Sequence, residues 1–245
     1  MNIINNFTVV ESIYGRFIVN RQCSHQAEAL IKTGIPHIQS ELRHILTIVS
    51  SLPNECLIID AGANIGLVSV PIAQAVKEKH GVVHSFEPQR MLFYALCGTA
   101  ALNDLENLFV HFNGVGADNG SLKIPRIDYG KPQDLGMVSL AQQNEIDEYE
   151  RAPIAVIDEL ELPRLGFLKI DVEGMELEVL KGACRMINAH RPWCWIEYWK
   201  VDRNAIKAAF EGLGYRFYLM DHLNMLCAPG SRVVEQRIDV RAQEV

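Results

Sequence analysis

The chain has 245 residues, enough for one α/β domain with a full core, and its 49% hydrophobic and 22% charged content is that of an ordinary water-soluble protein. A formal charge of -7 and a pI near 5.6 exclude a broad basic surface, so neither nucleic acid nor an anionic membrane is an expected partner. Six scattered cysteines without a C-x-x-C pair read as reduced thiols, and no apolar run has the length of a bilayer span. The opening M-N-I-I-N-N-F lacks the basic and apolar blocks of a signal peptide, so a cytoplasmic location is expected.

Residues 7 to 20 read as a hairpin turning near Tyr14-Gly15. From Ser24 the pattern turns helical and breaks at Thr33-Gly34-Ile35-Pro36. An amphipathic helix then runs from about His37 to Ser50, with Ile38, Leu42, Ile45, Leu46 and Val49 inward. Residues 1–50 are expected to form a small hairpin-and-helix lid over the ligand end of the sheet, and 51–245 the main domain.

The main domain opens on Leu57 to Gly66, L-I-I-D-A-G-A-N-I-G. The branched apolar run predicts a parallel strand covered on both faces. Asp60 stands at its end, and Gly62, Asn64 and Gly66 make the tight turn into a helix over 66–79, which Pro71 would shorten or kink. Such a turn aims free N–H groups at a ligand above the strand. A carboxylate there repels a pyrophosphate and attracts an ammonium or sulfonium, by roughly 4 kcal/mol at about 4 Å and a dielectric near 20 before desolvation. S-adenosylmethionine, which carries both cations and no phosphate, is therefore favoured over a dinucleotide. A plain βα turn with a capping Asp is the structural alternative.

Val82 to Phe86 predicts the next strand, ending in Glu87, where an acid can accept both hydroxyls of a ribose. Acting only on a helix dipole is the alternative role for Glu87. A helix over 89–102 follows, with Asn103 as end cap, and then a third strand at Phe109–Asn113. The loop 114–120 after it, Gly116 included, would lie beside the adenine. Residues 121 to 154 read as irregular and end in the acidic Q-Q-N-E-I-D-E-Y-E, a segment of the kind that forms lids or solvated surface. Ile154 to Leu162 predicts a short strand and a helix.

Phe167 to Ile170 predicts the fourth strand, delivering Asp171-Val172-Glu173-Gly174 to the sheet edge before a helix over 175–186. Ligands of open α/β sheets sit at the carboxyl ends of central strands, so Asp171 is the first candidate base and also a cofactor contact, with Glu173 beside it. Helix capping is the competing role for these acids, and the preferred one for Glu176 and Glu178. Pro192 to Trp199 is the fifth strand; Glu197 at its end is a third candidate catalytic acid, and one of its tryptophans is placed to line a pocket. His37 on the lid is a more distant candidate. Asp171 and Glu173 have no third ligand legible in the sequence, so no metal is expected. A helix capped by Asp202 and a closing hairpin at 215–220 and 225–228 complete the doubly wound seven-stranded α/β sheet.

The segments I-I-D-A-G-A-N-I-G, H-S-F-E-P and L-K-I-D-V-E-G-M-E-L-E-V-L-K-G-A resemble the FkbM family of S-adenosylmethionine-dependent methyltransferases, over about residues 37 to 200. The resemblance implies a class I methyltransferase Rossmann-like fold. It puts Asp60, Gly62, Asn64 and Gly66 on the methionine end of the cofactor and Glu87 on its ribose, and matches Asp171, Glu173 and Gly174 to the fourth-strand motif. Residues 134–140, D-L-G-M-V-S-L, are similar to the family's N-F-G-x-x-S-L segment but carry Asp134 and Leu135 for Asn and Phe. What the resemblance implies is O-methylation of a sugar, glycan, polyketide or other small-molecule hydroxyl, with S-adenosyl-L-homocysteine as product; homo-oligomerisation stays open. A catalytically inactive nucleoside-binding module and an NAD-dependent oxidoreductase are the rival functions, the latter disfavoured by D-A-G-A-N-I-G where G-x-G-x-x-G is wanted.

Overall fold

The structure is a computed structural model that describes residues 5–23, 26–140, 143, 147–160, 162–230 and 243–244. At its centre β3 (Leu57–Ala61) is buried along its whole length, as its unbroken apolar run requires. It pairs in parallel with β4 (Val82–Phe86) on one side and β9 (Leu165–Ile170) on the other. Beyond β4 lies β5 (Leu108–His111); beyond β9 lies β10 (Trp193–Glu197), also parallel. The sheet closes with β12 (Asn224–Pro229), β11 (Tyr215–Leu219) and the two-residue β13 (Gln243–Glu244), all antiparallel to their neighbours.

The resulting order, β13-β11-β12-β10-β9-β3-β4-β5, is the expected seven-stranded sheet with its C-terminal hairpin plus one short edge strand. The chain winds outward from β3 through β4 to β5, then restarts on the other flank with β9 and β10. Between β3 and β9 the winding reverses, and the crevice above their carboxyl ends is where such sheets hold ligands.

The period of two along each strand sorts side chains between two cores. Ile58, Phe167, Trp193 and Trp195 pack with α2 (Gln39–Ser50), α3 (Ser69–Val76) and α4 (Arg90–Leu102). Ile59, Ala61, Leu168, Ile170, Cys194 and Ile196 pack with α5 (Glu176–Gly182), α6 (Cys184–His190) and α7 (Arg203–Ala208) on the other face. All six cysteines are free. Among the described residues no helix is long and apolar enough to cross a membrane.

Several elements differ from their sequence-based expectation. The helix expected over 66–79 is α3 followed by one 3-10 turn at 77–79, and Pro71 falls in its first turn, where a missing N–H costs nothing. The single helix expected at 175–186 is two, α5 and α6, broken at Ala183, and the helix after Ile154 is one 3-10 turn at 157–159. The irregular segment contains β7 (Gly120–Pro125) and β8 (Tyr149–Ala155), which with β6 (Gly114–Val115) form a second, three-stranded sheet around Leu122, Ile124 and Ala152. Part of the acidic run at 142–150 lies outside the described residues.

The N-terminal hairpin forms, as β1 (Phe7–Ser12) and β2 (Gly15–Asn20), but away from the crevice. Phe17 and Val19 fill the core beside α4, and the open edge of β2 finds partners there: the Ile18 N–H donates to Thr99 Oγ1 and the Arg16 N–H to Asn103 Oδ1. A short α1 (Gln26–Thr33) packs beside the hairpin. Among the described residues of 1–50, the start of α2 and the segment before it reach the crevice, through His37, Ile38 and Glu41.

Candidate active site

A cavity of about 490 Å³ opens over the carboxyl ends of β3, β4, β9 and β10, within the size range of small-molecule and cofactor sites. The turn after β3 makes its floor. Gly62 has φ +82, and a Cβ there would stand 1.7 Å from the Asp171 carbonyl oxygen, so only glycine lets these two strand ends meet. Asn64, left-handed at φ 52, donates its backbone N–H to Glu87 Oε2 at 2.8 Å. The other oxygen, Oε1, accepts the Gln89 N–H at 2.7 Å. Glu87 is thereby locked in one rotamer, nearly without solvent contact; burial pushes its carboxyl up to about 7 although both N–H groups favour the charged form.

Lysine 169 organises the other end. It lies opposite Asp60 in the β3–β9 register, buried, with Nζ 3.4 Å from Asp60 Oδ1, 3.0 Å from Asp171 Oδ2 and 3.4 Å from the Gly62 carbonyl oxygen. Burial alone would lower its pKa, but the carboxylates of Asp171, Asp60 and Glu41 outweigh it and raise it. Asp60 is 0% exposed, and its Oδ2 accepts the Ser69 hydroxyl at 2.6 Å. Its carboxyl is pushed up by burial, with Lys169 and Ser69 pulling back.

Asp171, Glu173 and Glu197 converge in front of this pair, one carboxylate oxygen from each lying within 4.8 Å of the others. Lys200 caps Glu173, and the Trp199 indole N–H donates to Glu197 Oε2 at 2.8 Å. Glu197 is pushed up to about 9 by burial and by the Asp171 and Glu173 charges; Glu173 is pushed up to about 6, chiefly by burial. Glu173 also sits in the left-handed region at φ 61, its carbonyl accepting the Leu140 N–H at 3.1 Å. Strained backbone of this kind persists where neighbours over-determine it.

Of the residues singled out from the sequence, Gly62, Asn64, Glu87, Asp171, Glu173, Glu197 and His37 line the cavity. Asp60 does not; it lies behind Lys169, paired with that ammonium, and its charge also helps to raise the Glu87 carboxyl. Gly66 and Gly116 are also outside the wall. A Cβ on Gly66 would meet Leu96 Cδ1 at 2.4 Å, so this glycine serves helix packing, and Gly116 sits against Ile154 with its carbonyl under Gly182. Their loop neighbours Asn113, Gly114 and Val115 reach the wall instead. The third carboxylate that the sequence did not show beside Asp171 and Glu173 is Glu197; the triad has the spacing of a cation site, with Lys169 and Lys200 already facing two of its members.

Lys169, Glu41 and Gln89 are wall residues that the sequence reading did not single out. Lys169 had a signal, a lone lysine inside the apolar run L-G-F-L-K-I. Glu41 stands three residues after Ile38 on the inward side of α2; burial pushes it up to about 7, against Lys169. Gln89 directly follows Glu87-Pro88.

A seven-stranded sheet wound in this order, with a glycine turn after its central strand and acids at the next strand ends, defines the class I methyltransferase fold. The chain belongs to the FkbM methyltransferase family: the family model for the Methyltransferase FkbM domain matches residues 60–226. It is 28% identical over 202 residues to Methyltransferase sdnD of Sordaria araneosa, covering 69% of this chain and 71% of that protein. It is 26% identical over 153 residues to Methyltransferase 1 of Beauveria bassiana (strain ARSEF 2860), covering 55% and 61% respectively. The crystal structure of Methyltransferase FkbM from Methylobacillus flagellatus KT shares the fold, with a TM-score of 0.51 at 18% identity over 84% of this chain and 56% of that one.

Proposed function

We propose that this methyltransferase uses S-adenosyl-L-methionine and methylates a hydroxyl of a small-molecule or glycan acceptor, releasing S-adenosyl-L-homocysteine. The observation that carries the reading is the fixed Glu87 carboxylate at one end of a single cavity whose other end is the Asp171, Glu173 and Glu197 cluster. Each oxygen of Glu87 takes one backbone N–H and keeps a lone pair for a ribose hydroxyl. Gly62 lets the backbone approach a ligand closely, and the cluster's excess of acid suits a cationic sulfonium compound. The residues present therefore fit the cofactor, with Glu87 and the Gly62–Asn64 turn holding it.

Bound there, the cofactor supplies an electrophilic methyl carbon. The chain's contribution is alignment and a dry wall, for which orientation alone can supply roughly 7 to 11 kcal/mol. Met137, Val138, Leu140 and Met175 form the apolar side of that wall. With the methyl group that the cofactor would supply, the acceptor hydroxyl would give up its proton to a carboxylate of the cluster. Asp171 is assigned as that base, since its side chain is 34% exposed to the cavity while Lys169 holds it in place. Glu173 is the second choice. Glu197, its carboxyl pushed up by burial and by the Asp171 and Glu173 charges, favours its protonated form and would donate a hydrogen bond to the acceptor instead of taking its proton.

Calorimetry with S-adenosylhomocysteine against NADH, followed by methyl transfer to a panel of sugar, polyketide and small hydroxyl acceptors, tests the reading. Binding of the homocysteine compound and not of NADH is expected. No heat with S-adenosylhomocysteine removes the cofactor assignment, and binding without transfer to any acceptor favours a module that has lost catalysis.

A further inference from the structure

The carboxyls at the end of the cavity away from Glu87 are not equally well served. Lys169 pairs with Asp60 and Asp171, and Lys200 pairs with Glu173. Glu197 takes the Trp199 indole N–H and favours its own proton. Glu41 is served worst. The hydrogen bond it takes comes from the Trp195 indole N–H, which also donates to Asn224 Oδ1 at 3.1 Å. Lys169, committed to its two aspartates, acts on Glu41 only through its field, and the Asp171 and Asp221 charges oppose it. A carboxylate taken out of water in this way is costly until a cation or further donors meet it.

An acid in the first turn of a helix ordinarily serves the helix. Glu41 follows the N-cap Ile38 by three residues, a position from which it could bond back to the cap or favour the dipole from solvent. Its carboxyl instead turns inward to Trp195 on β10, and the residue stands in the cavity wall with Trp199, Leu223 and Asn224. It is only partly buried, so a ligand in the cavity can reach it. Strand order fixes its station. The sheet runs β4-β3-β9-β10, Glu87 follows β4, Asp171 follows β9, and Trp195 lies opposite Lys169 in the β9–β10 register. With neighbouring strands about 4.8 Å apart, a group over β10 is roughly 14 Å from the end of β4 and roughly 5 Å past the end of β9. Glu41 therefore lies beyond the Asp171 carboxylate on the side away from the nucleoside, where the acceptor belongs.

We infer that the acceptor is a hydroxy-amine, a small molecule whose ammonium group sits on Glu41 while its hydroxyl faces Asp171. This rests on the function proposed above and names its substrate class. An ammonium brings what the Glu41 carboxylate lacks, a full positive charge together with N–H donors, and bonds of that kind are the strong ones. The protonated nitrogen has no lone pair, so the methyl group goes to the oxygen. The same wall turns anions away. Among its described residues there is no arginine, and Lys169 is spent on Asp60 and Asp171. A phosphate or carboxylate on the acceptor would meet Glu41 and Glu173 instead of a cation, which discriminates by repulsion. Ile38 and Leu223, apolar and in the same wall, are placed to pack the carbon frame. One to two strand spacings between the two polar groups, roughly 5 to 10 Å, suit an amino sugar or an amino alcohol with several carbons between them.

The test uses the full chain, labelled S-adenosylmethionine and matched acceptors: glucosamine, galactosamine and a series of linear amino alcohols, each beside its N-acetyl counterpart. The wild type is expected to methylate at least one free amine, with kcat/KM about 10- to 100-fold above that of its N-acetyl partner, as for one charge-assisted hydrogen bond. In Glu41→Gln that preference is expected to vanish through KM, and in Glu41→Asp to survive in weakened form. A glutamate of merely structural value would slow both members of a pair alike and leave the preference standing, which overturns the inference. So does transfer to neutral acceptors only, or to no amine of the series. The wild-type preference decides the matter alone should a variant fail to fold. Calorimetry separates the acceptor's ammonium from the cofactor's own: S-adenosylhomocysteine affinity is expected to stay within a few-fold in Glu41→Gln, and a tenfold fall would give Glu41 to the cofactor and overturn this inference while sparing the cofactor reading. Absence of any heat with the wild type overturns that reading, and this inference with it.

Discussion

The two ends of the cavity are built by different means. At the proposed nucleoside end Glu87 is held by backbone N–H groups of the turn after β3 and the start of α4. At the proposed acceptor end Asp171 and Glu173 are held by the side chains of Lys169 and Lys200, and Glu197 by the Trp199 indole. Backbone donors come with the fold and leave little to vary. Side-chain partners are set residue by residue, so crowding, charge and proton affinity can be altered there without disturbing the sheet. Under the proposed function this is a generic grip on a common cofactor and an adjustable grip on a particular acceptor.

The sharpest way to break that comparison is to remove the lysine that holds Asp171 and also reaches the Gly62 carbonyl. Lys169→Met leaves Asp60 buried without its cation and is expected to lower stability by about 3–5 kcal/mol, read by urea denaturation. Adding Asp60→Asn to it should recover much of the loss; a single-variant loss below about 1 kcal/mol would show that the pair does not anchor the crevice. Next in size, Asp171→Asn is expected to slow methyl transfer about 10²- to 10⁴-fold while S-adenosylhomocysteine binding stays within a few-fold. If turnover survives, the base is elsewhere, and Glu173→Gln becomes the decisive variant.

The sequence disclosed the two ends unequally for the same physical reason. Glu87 and the Gly62–Asn64 turn lie within local motifs whose geometry follows from neighbouring residues, so strand, turn and acid could be read in order. The arrangement around Lys169 depends on strand register: Asp60 meets Lys169 because β3 and β9 pair across more than a hundred residues. Glu197 joins Asp171 because β10 lies beside β9, with Ile196 opposite Ile170. No local pattern carries that information. The small sheet was hidden likewise, since β6 pairs with β8 and not with its sequence neighbour. The hairpin was legible as an element, but its docking on α4 turned on Thr99 and Asn103 satisfying an open edge, which period and composition do not show.

Smaller in effect, Glu87→Gln removes the charge that strengthens bonds to ribose hydroxyls and turns an NH2, which cannot accept, toward one of the two backbone N–H groups. Its affinity for S-adenosylhomocysteine is expected to fall about 10- to 100-fold, as for loss of charged hydrogen bonds worth about 1.5–3 kcal/mol, with turnover at saturating cofactor nearly unchanged. A fall in turnover at saturation instead would make Glu87 more than a cofactor grip and erase the contrast between the ends.

The finest test is of proton affinity at the acceptor end. The Glu197 carboxyl is raised from the usual 4.5 to about 9, so between these values the folded chain binds a proton that the unfolded chain has lost. Stability contributed by the protonated group is thus full below about 4.5 and falls as pH rises through that window, with a slope of at most about 1.4 kcal/mol per pH unit for one proton. Glu197→Gln, which imitates the protonated acid, should flatten the decline in urea midpoint between pH 6 and 9 by up to about that slope, and should be the more stable chain at the alkaline end. Because Asp171 and Glu173 are what raise Glu197 beyond its burial, Asp171→Asn should flatten the same profile less, by lowering the Glu197 carboxyl rather than deleting it. Equal profiles in wild type and Glu197→Gln would mean that Glu197 is ionised at neutral pH, which would move it from hydrogen-bond donor to rival base.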